Sequence, residues 1–140
     1  GDGASMICGG ARWVRYAYTK LANVAFTLAL HDKLGDSGVK ALCAAPGLVA
    51  TQLQATTARD GGMGSGTWFM RWSQSSEDGA VPLLHCCLSP EVSSGELWEP
   101  KGMTGPPALK DPLEKVCLDA DRAAVWAASE AAVGEWDLDL

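Results

Sequence analysis

The stretch from Tyr16 to Leu53 reads YAYTKLANVAFTLALHDKLGDSGVKALCAAPGLVATQL, and its apolar pattern changes character twice. Leu21, Val24, Ala25, Leu28 and His31 recur at helical spacing, which predicts an amphipathic helix over residues 16–34. Gly35, in Leu34-Gly35-Asp36-Ser37-Gly38, is a helix stop. Val39 to Ala45 is then nearly all apolar over a strand's length, as in a parallel strand covered on both faces. Pro46-Gly47 terminates it. Helix, strand and tight turn in that order point to an α/β fold.

Within the predicted helix, Tyr16 and Lys20 lie in Tyr16-Ala17-Tyr18-Thr19-Lys20. Residues i and i+4 share a helix face, about one turn apart. A lysine ammonium beside a tyrosine hydroxyl favours the phenolate, lowering the phenol from its reference of about 10. Such a tyrosine can exchange protons with a carbonyl or an alcohol near neutral pH. The plainer alternative is a helix with one buried tyrosine and one solvated lysine. Tyr18 is two residues from Lys20 and faces elsewhere.

The flanking residues add a second motif. Lys20 is followed by Leu21-Ala22-Asn23, and the strand by Pro46-Gly47-Leu48-Val49-Ala50-Thr51. Together these resemble the second half of the short-chain dehydrogenase/reductase family, in its retinol-dehydrogenase-like branch. Ser76-Glu77-Asp78-Gly79-Ala80 looks like the start of that family's next helix. Ser94-Gly95-Glu96-Leu97-Trp98 looks like its last core strand, and Trp126-Ala127-Ala128-Ser129-Glu130 like its C-terminal helix. The resemblance runs over residues 14 to 136.

It implies the C-terminal half of a doubly wound, Rossmann-type parallel sheet with flanking helices. The whole of residues 1–140 would be one partial domain. Residues 16–51 would carry the active-site helix, strand and Pro-Gly turn, 52–75 a substrate-covering segment, and 76–140 the C-terminal helices and last strand. By resemblance, Tyr16 protonates the nascent alkoxide or takes the proton back, and Lys20 tunes Tyr16 and holds the nicotinamide ribose. Pro46 and Gly47 shape the turn. Val49, through its backbone, and Thr51, through its hydroxyl, contact the nicotinamide carboxamide and the phosphates. The implied cofactor is NAD or NADP, and the implied substrate a lipophilic alcohol, aldehyde or ketone. Thr19 stands where the family usually has serine, which keeps a hydroxyl.

The family's cofactor half precedes the tyrosine, and its T-G-x-x-x-G-x-G turn and Asn-Asn-Ala-Gly strand do not occur in this sequence. Gly61-Gly62-Met63-Gly64-Ser65-Gly66 lacks a preceding strand and reads as a loop rather than a phosphate cradle. Ser5 is a weak match to the family's catalytic serine, because Gly1-Asp2-Gly3-Ala4 is no strand. The chain is therefore expected to be the C-terminal portion of something longer, or a processed product, incomplete and inactive alone. The acidic or basic residue that separates NAD from NADP would lie outside it.

Composition narrows the partners. The 140 residues carry a net charge of -6, which opposes general nucleic-acid binding, where phosphates need clustered Lys and Arg. The longest apolar run, Leu21 to Leu30, is far short of the roughly 20 residues that span a bilayer, which leaves at most a peripheral membrane association. Cys8, Cys43, Cys86, Cys87 and Cys117 are odd in number and lack C-x-x-C spacing, so free thiols in a reducing compartment are expected. His31 and His85 have no ligand-spaced partners, so no metal site is expected.

Downstream, residues 52–75 read as a loop and short helix with Trp68, Phe69, Met70 and Trp72. A helix is predicted from a Ser76 N-cap to Leu88 despite Pro82, and a short strand over Gly95 to Glu99. Lys101 to Pro112 should be a loop, and Asp121 to Gly134 a helix with Trp126 and Val133 on its apolar side. Two strands do not make a stable sheet. The open edge must be covered by the missing N-terminal half or by other subunits. This leaves a second reading, a non-catalytic accessory subunit derived from a dehydrogenase, for which six tryptophans suit an interface.

Overall fold

The computed structural model describes residues 11–50, 72–110 and 117–136. In chain order these form α1 (Ala11–Leu34), β1 (Cys43–Ala44), α2 (Ser76–Gly79), α3 (Val81–Leu88), β2 (Leu97–Pro100), β3 (Pro107–Lys110) and α4 (Asp119–Val133). The fold is mixed α/β, with a small open sheet ordered β1-β2-β3. β1 runs parallel to β2 in the register Cys43↔Leu97 and Ala44↔Trp98. β2 and β3 are antiparallel, from Leu97↔Lys110 to Pro100↔Pro107.

The register sorts side chains onto two faces, because neighbours across a ladder point the same way. Cys43 donates its thiol hydrogen to Thr27 of α1 at 3.1 Å, and Leu97 packs on the buried cluster of Ala25, Leu28 and Cys117. The α1 face is thus the core face. On the other side the Trp98 ring lies 4.3 Å from the His85 ring of α3. Helices thus lie on both faces of the sheet, although Ala44 of the two-residue β1 stays exposed.

α4 packs on the outside of α1. Phe26 stacks on Trp126 at 5.7 Å, Trp136 meets both edge-on, and Lys33 lies 4.6 Å above the Trp126 ring. Arg122 of α4 reaches Asp32 of α1 at 3.3 Å.

The α1 stripe is as the spacing predicts: Ala25 and Leu28 are buried, with Leu21 and Val24 packed beside them. The helix starts earlier than expected, at Ala11, since Ala11 to Arg15 holds no helix breaker. It ends at Gly35, whose φ of 49° stops it. The N-cap before α2 is Ser75 rather than Ser76, its hydroxyl accepting from the Asp78 N–H at 3.0 Å. The single helix predicted to Leu88 is divided at Ala80, and Pro82 sits in the first turn of α3, where its missing N–H costs nothing.

Three expectations are corrected. The strand expected over residues 39–45 pairs only at Cys43–Ala44: Val39 is exposed, and the Ala41 N–H donates to the Ser94 hydroxyl at 3.0 Å rather than to a ladder. Residues 107–110, read as loop, form a strand. Prolines suppress the pattern but are tolerated at a strand's start and on a sheet edge, which is where Pro107 stands. Val133, assigned to the apolar side of the last helix, is 68% exposed, whereas Trp126 is buried. Val133 lies in the final turn of α4, and it is Trp136, three residues on, that packs against Phe26 of α1.

Candidate functional site

Tyr16 and Lys20 lie in the first half of α1, where residues 14–20 are all exposed. They share a face, but the Lys20 ammonium lies 5.5 Å from the centre of the Tyr16 ring, a cation–π contact. Among the described residues Lys20 makes no hydrogen bond to the Tyr16 hydroxyl. The Thr19 hydroxyl donates back to the Tyr16 carbonyl at 2.7 Å, a local helix bond that uses its donor.

The Pro-Gly turn leaves the C-terminal end of β1. Open α/β sheets bind ligands beyond that end of their strands. Gly47 has φ of 69°, and a Cβ there would lie 2.7 Å from the Met103 carbonyl oxygen and 2.8 Å from Pro100 Cγ. Only glycine fits so close under the β2–β3 connection. The connection holds the turn in return, with the Leu48 N–H donating to the Met103 carbonyl at 3.2 Å.

The next residues form a one-residue parallel bridge, Val49↔Gln74. The Gln74 N–H donates to the Leu48 carbonyl at 3.0 Å, and the Ala50 N–H donates to the Gln74 carbonyl at 3.1 Å. The Gln74 side-chain amide donates to the Pro46 carbonyl. Val49 itself is buried, its side chain against the backbone of Gly79 in α2. Bridge geometry spends the peptide groups flanking Val49 and turns its own N–H and C=O to the opposite side. Neither group is taken among the described residues.

The structure thus gathers Pro46, Gly47 and Val49 into one clamped turn and sets Tyr16 and Lys20 on an exposed helix half. No hydrogen bond or ring contact among the described residues joins the two groups. Thr51, Ser5, the glycines of 61–66 and the substrate-covering segment up to residue 71 lie outside the described residues; Trp72, at their border, is 64% exposed. Gln74 was not legible as a site residue. It lies between Ser73 and Ser75 with no periodic partner, and its importance arises from bonds across some 25 residues of sequence.

The remaining surface feature is α3. Val81, Leu84, His85 and Leu88 with Pro107 line an open groove of about 430 Å³. Cys43, Cys86, Cys87 and Cys117 are free thiols. Burial pushes the thiols of Cys43, Cys86 and Cys117 up from their ordinary value. Among the described residues no helix is long and apolar enough to cross a membrane.

Comparison with protein-family models, with curated proteins and with solved structures yields no match to this chain.

Proposed function

We propose that this chain is the C-terminal half of an NAD(P)-dependent oxidoreductase of the short-chain dehydrogenase/reductase type, acting on a lipophilic alcohol, aldehyde or ketone. The observation that carries the reading is the clamped turn after β1. It turns the N–H and C=O of Val49 away from Gln74 at the strand's C-terminal end, where no described residue takes them. One donor and one acceptor side by side are what a primary carboxamide needs, so these residues fit a nicotinamide. The exposed ammonium of Lys20 suits a ribose hydroxyl.

On this reading the finer architecture is half of a doubly wound sheet, its nucleotide-binding half supplied by another segment across the open edge of β1. The coenzyme, when bound, supplies the hydride. This chain supplies the rest. The Tyr16 hydroxyl gives its proton to the developing alkoxide oxygen in reduction and accepts it in oxidation. Lys20, one turn away, moves from the ring face to the hydroxyl or ribose as the site fills. The test is Tyr16→Phe in the natural polypeptide that contains this chain. Turnover should be lost and coenzyme binding kept; retained turnover refutes the assignment.

A second reading, an accessory subunit without catalysis, is favoured by α3. That helix carries no charged residue, and Leu83, Leu84 and Leu88 are 56%, 53% and 78% exposed. A helix apolar all round is one that something covers. Saturable NAD(P) binding at this subunit in its assembly would sink that reading.

A further inference from the structure

We propose that Gln74 is a positioning residue for the coenzyme turn: it bonds Pro46, Leu48 and Ala50 at once and so decides which peptide groups face outward. This rests on the oxidoreductase reading above. Gln74 is 9% exposed, the one buried polar residue among the described residues. A primary amide at such depth is costly unless bonded, so the side chain is held where a partner exists. That partner is the carbonyl of Pro46, just after the largely apolar run of residues 39–45 and ahead of a residue in the left-handed region.

Three bonds from one residue fix a register. Peptide groups alternate in direction along an extended segment, so a slip by one residue exchanges the outward set for the inward one. In the observed register, Leu48 and Ala50 are spent on Gln74, and Val49 presents its N–H and C=O. In the slipped register Val49 would be spent. The backbone bridge alone is a single pair and cannot choose between them. The side-chain bond to Pro46 does, because it ties Gln74 to a point three residues before Val49. In this register the Val49 side chain lies against Gly79, where a Cβ would collide with it.

The test uses the natural polypeptide that contains this chain and two probes, NADH or NADPH and ADP-ribose, which shares the nucleotide but lacks nicotinamide. Gln74→Glu keeps the shape and loses the donor; Gln74→Asn keeps the amide but falls short of Pro46. Both should weaken coenzyme binding by about tenfold, the scale of a lost buried hydrogen bond, and leave ADP-ribose affinity unchanged. The exchange of the Ala50 amide with solvent should quicken in the same variants. Equal weakening of both probes, or weakening of neither, would mean that Gln74 only holds the fold together, and would overturn the proposal. A wild-type protein that binds neither NADH nor NADPH would instead overturn the oxidoreductase reading beneath it.

Discussion

At Gly79 the smallest side chain sets the position of a larger one. The Val49 side chain rests on its backbone with no room for a Cβ. Gly79→Ala should destabilise the fold by about 1–3 kcal/mol through overpacking, read as a lower denaturant midpoint, and should disturb the turn that Val49 belongs to. The thiols give a second residue-scale test. Cys87 is exposed, and Cys117 is 1% exposed, so an alkylating reagent should label Cys87 long before Cys117. Burial raises the thiols of Cys43, Cys86 and Cys117, so the folded chain holds protons that the unfolded chain releases. Their contribution is therefore full below the ordinary thiol value of 9.0 and is lost as pH rises past it. A urea midpoint that falls between about pH 8 and pH 10, and falls less in Cys117→Ala, would bear this out; a flat profile would contradict it. What the sequence revealed at this scale was whatever is local. Pro46, Gly47 and Val49 are adjacent, and Tyr16 and Lys20 are one turn apart. Gln74, joined to them only through folding, left no trace in spacing.

Among elements, α1 and α4 pair through an aromatic cluster, and Trp126 is its centre. It is 6% exposed, stacked by Phe26, edged by Trp136 and covered by the Lys33 ammonium. Trp126→Ala should cost about 3–5 kcal/mol in chemical denaturation, the range for a large buried aromatic. Asp32→Asn should cost about 0.5 kcal/mol at most, because the Asp32 side chain is 53% exposed and its pair with Arg122 is screened. α1 was legible because its apolar residues repeat every three and four positions and a glycine follows. β3 was not, since Pro106 and Pro107 imitate a loop while their strand role depends on a neighbour, β2. The exposure of Val133 was equally hidden: periodicity gives a side chain's direction, not whether another element reaches that far.

At the scale of all the described residues, α3 presents the exposed Leu83, Leu84 and Leu88. Leu84→Lys with Leu88→Lys should leave folding stability within about 0.5 kcal/mol, since both leucines are more than half exposed, and should reduce association measured by sedimentation. Unchanged sedimentation would show that α3 is not an interface. The sheet itself has two unlike margins. At β3, Pro107 withholds a backbone donor and Lys110 is tied to Glu99 at 2.8 Å, so the margin is sealed against another strand. At β1, among the described residues, Cys43 and Ala44 pair on one side only, and Ala44 is exposed. Growth is therefore possible in a single direction. A border that a strand can join on one side and that proline and a lysine–glutamate pair hinder on the other favours a single addition over an endless fibre of identical copies.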